Sequence, residues 1–152
     1  MPFLMKGKHW SDRHKFRVPL KYPVVVQPKV DEIRVRVFVH LPTQAVVYHS
    51  YAEKPLFNLH FADTMFLWLA NRFKLQNFDC GFLCNNNFDD SRSFVRSSKN
   101  FPDRLRNASR VFLLYDIPDS TAEYSERLPR MAEICTTAAF IFDTPLRNLP
   151  RW

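Results

Sequence analysis

The sequence predicts an α/β fold in which an extended N-terminal arm and a β-hairpin precede alternating helices and strands of a mixed, partly parallel sheet. Three observations carry the prediction. Basic residues and prolines fill the first 29 positions, apolar residues alternate from Ile33, and helical stripes alternate with short apolar runs after Pro55. Strands that alternate with helices favour a partly parallel sheet. An α+β arrangement is the alternative.

Residues 1–29 form the predicted basic arm. They hold seven lysines and arginines against the single acid Asp12, whereas the other 123 residues hold 15 basic and 14 acidic side chains. Four prolines, each of which fixes φ and removes a backbone donor, interrupt the arm: Pro2, Pro19, Pro23 and Pro28. A positive segment on a nearly neutral body indicates contact with RNA, anionic lipid or acidic protein.

The body, residues 30–144, is predicted to be a single domain that opens with a hairpin. In "IRVRVFVHL", residues 33–41, branched apolar residues alternate with Arg34 and Arg36. Such alternation predicts a strand with one buried face, so the two arginines share the opposite face. "AVVYHSY", residues 45–51, predicts the second strand of an antiparallel pair.

Helical spacing of apolar residues predicts a helix within residues 56–76. "DCGFLC", residues 79–84, predicts a short strand, and the polar residues 85–100 predict a loop. Residues 101–109 predict a helical passage with Pro102 in its first turn.

The continuous apolar run "RVFLLYDI", residues 110–117, predicts a strand covered on both faces. Residues 118–137 predict a helix broken at Pro129, and "AAFIFD", residues 138–143, predicts a final buried strand. The last eight residues, 145–152, predict an extended tail that ends at Trp152.

Composition excludes several classes of site. The two glycines, Gly7 and Gly81, lie far apart, which excludes a P-loop and a dinucleotide fingerprint because both need clustered glycines. No apolar stretch reaches 18 residues, so we predict no transmembrane helix. Three cysteines and no secretory signal favour a reducing intracellular compartment, and an acid-poor leader favours the mitochondrion.

Two clusters have metal-ligand character. Cys80 and Cys84 have the spacing of half a zinc site, with Cys135 and several histidines as further donors, and Asp89 with Asp90 offers paired carboxylates. The cysteines share a strand face with Phe82 and are better interpreted as core residues, whereas the aspartates are better interpreted as solvated turn residues. We therefore predict no metal and no cofactor.

A third cluster follows the strand at residues 110–117. Asp116 lies at its end, where α/β sheets place ligands, and Ser120, Glu123 and Glu126 follow. The simpler interpretation is that Asp119 or Ser120 caps the next helix and Glu123 completes a capping pattern.

These features lead to the hypothesis that the chain is a non-catalytic structural subunit of a large, mitochondrial, multi-subunit complex. The complex would be a respiratory complex, an ATP synthase or a ribosome. The predicted partners are neighbouring protein subunits, with RNA or anionic lipid reached through residues 1–29. The predicted contact residues are Lys6, Lys8, Trp10, Arg13, Lys15, Phe16, Arg17, Lys21, Tyr22, Arg34, Arg36 and Trp152. Two alternatives stay open: a small α/β enzyme or signalling domain with a site near Asp116 and Glu126, and a free RNA-binding protein.

Overall fold

The computed structural model describes residues 27–143 and 145–148, and it contains a five-stranded mixed sheet and three α-helices. The strands are β1 (Ile33–His40), β2 (Ala45–His49), β3 (Asn77–Cys84), β4 (Arg110–Asp116) and β5 (Leu146–Asn148). The helices are α1 (Asp63–Phe73), α2 (Phe88–Arg96) and α3 (Tyr124–Ile141). Short 3₁₀ turns cover Leu41–Thr43, His60–Ala62 and Asp103–Leu105. The predicted mixed α/β class is confirmed.

The strands lie in the order β2-β1-β3-β4-β5. β1 pairs antiparallel with both β2 and β3, and β3 pairs antiparallel with β4. β5 pairs parallel with β4, and α3 is the crossover that parallel neighbours require. The predicted hairpin and the partly parallel sheet are therefore confirmed.

The helices pack on one face of the sheet around a phenylalanine core. Alternate residues of β1, including Val35 and Val37, are fully buried there with side chains of all three helices. Phe82 and Phe112 lie 5.3 Å apart between ring centroids, and Phe82 and Phe94 lie 5.2 Å apart. Tilted and edge-on rings at such distances stabilise one another beyond the area they bury.

The opposite face of the sheet has a small apolar cluster of its own. In the part of the chain that the structure describes, this cluster contains Val30, Leu83, Val111, Leu113 and Tyr115, none of which belongs to a helix. We call this side the uncovered face, because no helix of the described residues packs against it. It is where the polar side chains of β1 and β3 meet.

The prediction of a loop at residues 85–100 is wrong, because this segment contains α2. The Asn87 side chain accepts a hydrogen bond from the Asp90 backbone N–H at 2.9 Å and so caps the helix. Asp89 and Asp90 lie in its first turn, where the helix dipole favours acids. Residues 101–109 contain the short turn Asp103–Leu105, with Pro102 as its N-cap.

The end of the chain also differs from the prediction. α3 continues through Pro129, and residues 138–141 are its last turn instead of a strand. Ile134, Cys135 and Ala138 are buried at helical spacing, so core packing offsets the hydrogen bond that proline removes. The fifth strand is β5, which lies within the predicted tail. Three residues are too short a pattern to predict it.

Within residues 27–143 and 145–148, no helix is both long enough and apolar enough to cross a membrane.

Candidate functional site

A buried ion pair occupies the uncovered face. Arg34 and Gly81 are partners in the β1–β3 register, and Asp79 stands two residues along β3 from Gly81. Arg34 Nε donates to Asp79 Oδ1 at 2.9 Å, and its Nη2 pairs with Oδ2. The Asp79 side chain is 0% exposed and that of Arg34 is 28% exposed. A buried charge must be paired, so these two side chains depend on each other.

The pKa directions agree with this mutual dependence. Burial raises the pKa of Asp79, and the hydrogen bond and charge of Arg34 offset part of that rise. The same hydrogen bond raises the pKa of Arg34. The guanidinium of Arg34 therefore stays charged and is held in one place by its carboxylate partner.

Two tyrosine rings flank the guanidinium. Arg34 Cζ lies 5.8 Å from the ring centroid of Tyr115 and 6.0 Å from that of Tyr51. The β3–β4 register shifts between Asp79 and Cys80, so Tyr115 is the extra residue of a β-bulge. Bulges redirect side chains, and this one gives the cation an aromatic neighbour.

Glu32 and Gly81 complete the cluster. Burial raises the pKa of Tyr115 above its ordinary value, and the negative charge of Glu32 adds to that rise. A Cβ built on Gly81 would lie 2.4 Å from Glu32 Cγ and 2.6 Å from Tyr115 Oη. The side chains of Glu32 and Tyr115 fill the space that a larger residue at position 81 would need, which explains the glycine.

The segment before β1 brings a lysine to the edge of this face. Val30, the next residue after Lys29, packs in the apolar cluster of this face with Leu83, Leu113 and Tyr115. Lys29 Nζ lies 3.8 Å from Asp31 Oδ1, and the two side chains are 91% and 85% exposed. Such an exposed pair contributes little to stability, so the amine is accessible to a ligand.

The sequence prediction that Arg34 and Arg36 share the outer face is confirmed. Arg36 is 7% exposed and pairs with Glu53 at 2.9 Å. Whether either arginine contacts a partner stays a prediction. The other predicted contact residues lie outside the described residues: Lys6, Lys8, Trp10, Arg13, Lys15, Phe16, Arg17, Lys21, Tyr22 and Trp152.

The cluster after β4 is organised differently from the prediction. Asp116 is buried and accepts hydrogen bonds from Arg127 Nε at 2.7 Å and Nη2 at 2.9 Å. Glu126 is exposed in the first turn of α3. Asp116 therefore links β4 to α3, and Arg127 occupies both of its carboxylate oxygens.

The predicted cap of α3 is wrong. α3 begins at Tyr124, and its N-cap is Glu123, which makes no side-chain capping bond. Asp119 instead accepts from the backbone N–H groups of Gln76 and Asn77 at 2.6 and 2.8 Å, so it joins the loop after β4 to the start of β3. The Ser120 hydroxyl accepts a long 3.4 Å hydrogen bond from the Ala122 N–H.

The cysteines lie in the core. Cys80, Cys84 and Cys135 are buried, and burial raises the pKa of the Cys80 and Cys84 thiols. Asp90 pairs with Arg104 and Asn85 on the surface. Over residues 27–143 and 145–148, no three histidine, cysteine or acidic side chains are grouped as metal ligands.

A concave region lies beside α2, away from the residues of the uncovered face. This cleft has a volume of about 510 Å³ and is lined by Asn58, His60, Phe61, Phe94, Phe101, Arg106 and Arg110. Arg110 Cζ lies 4.7 Å from the ring centroid of Phe61 and 5.3 Å from that of Phe94, so its cation forms part of the wall. Asp103 pairs with Arg106 at the rim at 2.8 Å.

Sequence reasoning missed Glu32, Asp79, Gly81 and Tyr115 as one site. Two signals were present. Asp79 is a charge at the start of an otherwise apolar strand, which requires a buried partner. Gly81 lies inside that strand, where glycine often marks a close approach of other groups.

Comparisons with known proteins identify the fold and no family. No family model matches the chain, and no curated protein matches it. A solved structure reported as "New Crystal Structure of Chlorella Virus DNA Ligase-Adenylate" matches with a TM-score of 0.60 and 19% identity. The match covers 88% of this chain and 45% of the ligase chain, so this chain spans less than half of that ligase.

This match corrects the functional prediction. The fold is similar to that of the ligase-adenylate, and this finding contradicts the hypothesis of a non-catalytic structural subunit and the assignments to a respiratory complex, an ATP synthase or a ribosome. The alternative of a small α/β enzyme domain is better supported. No observation tests the predicted partners or the mitochondrial location, and both stay predictions.

Proposed function

We propose that this chain is a domain of a nucleotidyl-transferring enzyme and that it binds an adenylate on the uncovered face of its sheet. The observation that carries the proposal is the match of 88% of the chain to a ligase-adenylate with a TM-score of 0.60. Folds host several functions, so the residues of the site must support the assignment as well.

The uncovered face supports it through its chemistry. Arg34 offers a fixed positive charge, Tyr51 and Tyr115 offer aromatic surface, and the pair with Asp79 holds the charge in place. A nucleotide combines anionic phosphates with a flat base and a polar sugar. Guanidinium groups recognise phosphate oxygens, and aromatic rings stack on bases.

Lys29 is our candidate for the residue that takes up the adenylyl group. A covalent protein adenylate needs a nucleophilic side chain, and lysine amines are one class of such nucleophiles. The Lys29 amine is accessible, and it adjoins Val30, which packs on the uncovered face. In the proposed step the neutral amine attacks the α-phosphorus of ATP, the P–N bond forms, the bond to pyrophosphate breaks and pyrophosphate leaves, and the nitrogen gives one proton to the solvent.

Radioactive ATP tests this assignment. The protein is incubated with magnesium and ATP labelled at either the α- or the γ-phosphate, then denatured and separated by electrophoresis. We expect label from the α-phosphate to remain on the chain and label from the γ-phosphate to be lost. Lys29→Arg keeps the charge and lacks a free primary amine, so we expect it to remain unlabelled.

Lys54→Arg is the matched control. Lys54 is an exposed lysine in the loop after β2, and its substitution leaves the charge of the protein unchanged. The control should label like the wild type. Equal labelling of the Lys29→Arg variant would show that another residue is modified, and absence of α-label from the wild type would contradict nucleotidyl transfer by this chain.

A further inference from the structure

Hydrogen bonds hold the two sides of the cleft beside α2 together. Asn58 Nδ2 donates to the backbone carbonyls of Phe94 and Ser97, at 2.8 Å each, and so joins the loop before α1 to the end of α2. Next to it, the Phe57 N–H donates to the Val95 carbonyl at 2.8 Å. The walls of the cleft are therefore in place before a ligand arrives, which lowers the entropic cost of binding.

The apolar lining of the cleft consists of phenylalanine rings that meet edge to face. The ring centroids of Phe61 and Phe94 lie 6.2 Å apart at an angle of 87°, and those of Phe94 and Phe101 lie 5.1 Å apart at 89°. Phe61 and Phe101 are half-buried, and Phe57 beside the cleft is 38% exposed. Arg110 lies over the rings of Phe61 and Phe94. Apolar surface remains for a ligand, but these two ring faces carry a guanidinium.

The charge of the cleft is positive. No acid is among the described residues that line it, whereas Arg106 and Arg110 supply two cations. Arg110 Nη2 donates to the Arg106 carbonyl at 2.9 Å, which fixes this guanidinium. Arg106 and Asp103 at the rim are 69% and 86% exposed, so their pair is weak and Arg106 can exchange it for another carboxylate. Residues 88–110 as a whole hold six basic and three acidic side chains.

A smaller hollow of about 410 Å³ continues the cleft along α2. Arg92 and Arg96, one helical turn apart, line it together with Asp89. Phe101 lines the cleft and Pro102 lines the hollow, so the two regions meet at these neighbouring residues. A ligand longer than the cleft therefore meets further cations on α2.

We infer that the cleft binds an acidic segment of a partner protein, which inserts an apolar side chain among the phenylalanine rings and places a carboxylate on Arg110. The centres of protein interfaces are rich in aromatic residues and arginine and poor in lysine and acids, as this lining is. Single-stranded nucleic acid fits less well, because bases stack on open ring faces and Arg110 lies over those of Phe61 and Phe94. The inference does not rest on the proposed nucleotide site, which lies on the other face of the sheet.

Selection of a random dodecapeptide phage library on the full chain tests the inference. We expect the enriched peptides to have a net negative charge and to contain leucine or an aromatic residue. Fluorescence anisotropy of synthetic copies then gives Kd. Arg110→Gln should raise Kd about tenfold, as the loss of one charge-assisted hydrogen bond does. Arg106→Gln should raise it about threefold, because Arg106 is more exposed.

Arg147→Gln is the matched control. Arg147 is an exposed arginine of β5 opposite Leu113, on the uncovered face, so its substitution removes the same charge far from α2. It should bind the peptides like the wild type. Thermal unfolding is recorded for every variant, and the exposed position of Arg106 keeps the test decisive if Arg110→Gln does not fold. Enrichment of no acidic peptide, or equal affinity of all four proteins, would overturn the inference. Equal weakening in Arg147→Gln would show general charge attraction and overturn it too.

Two further measurements address other occupants of the cleft. An oligothymidylate of about twelve nucleotides should not displace the bound peptide at equal concentration. Displacement that Arg110→Gln abolishes would assign the cleft to nucleic acid and overturn the inference. Sedimentation equilibrium should give the same mass for the wild type and Arg110→Gln. A wild-type dimer that dissociates in this variant would assign the cleft to a second copy of the chain, which would also overturn it.

Discussion

At the scale of single residues, the uncovered face depends on side chains that each need a specific neighbour. Asp79 has no exposure and needs Arg34, while Tyr115 and Glu32 need the room that Gly81 leaves. A charge or a glycine at such a position can be recognised in the sequence. Its partner cannot be recognised, because Asp79 and Arg34 are 45 residues apart in the chain.

Gly81→Ala should destabilise the protein by about 1–3 kcal/mol, the usual cost of overpacking. The added methyl group would lie 2.4 Å from Glu32 Cγ and 2.6 Å from Tyr115 Oη, so side chains must move. Urea denaturation measures the change in the free energy of unfolding. The double variant with Glu32→Ala should recover part of the loss, and a fully additive loss would show that Glu32 is not the obstacle.

The Asp90 carboxyl should titrate below its ordinary pKa. Hydrogen bonds from Arg104 and Asn85 lower its pKa in the folded protein. Because a lowered folded pKa favours the charged form, the stabilisation is present above the unfolded pKa, about 3.9, and is lost as the pH falls through the folded value. Carbon-13 NMR of the carboxyl gives the pKa directly.

Arg104→Gln should move the Asp90 pKa back toward its ordinary value, since the first and largest cause of the lowering is the Arg104 hydrogen bond. An Asp90 pKa that is identical in the wild type and in Arg104→Gln would contradict the role of this ion pair.

At the scale of helices and strands, the elements with a clear period of apolar residues were predicted correctly. Eight alternating residues predicted β1, and the apolar stripe of residues 56–76 predicted α1. α2 was missed because only three of its nine residues are buried, so its sequence resembles a polar loop. The last turn of α3 was mistaken for a strand because Phe140 is apolar although 92% exposed.

The β1–β3 pair offers a test of the buried ion pair. Arg34→Leu leaves Asp79 buried without its partner and should destabilise the protein by about 3–5 kcal/mol. Asp79→Leu combined with Arg34→Leu removes both charges and should be much closer to the wild type, because no uncompensated charge remains. Chemical denaturation of the single and double variants gives both values, and equal losses in the two would contradict the interdependence of Arg34 and Asp79.

At the scale of the whole molecule, the fold class was predictable and the site was not. The sequence carries enough periodicity to predict a mixed α/β domain, which the sheet confirms. Strand order, the parallel β5 and the bulge at Tyr115 arise from pairing between distant segments. The charge of residues 1–29 directed the functional prediction toward a structural subunit, whereas the fold is similar to that of a DNA ligase-adenylate.

Binding of ATP to the uncovered face is the central claim, and backbone amide NMR tests it most directly. Titration of the nitrogen-15-labelled chain with ATP should shift the amide signals of residues 29–34, 79–81 and 115. The cleft beside α2 that contains Phe61, Phe94 and Arg110 should be unaffected. Shifts confined to that cleft, or no saturable shifts anywhere, would contradict the account.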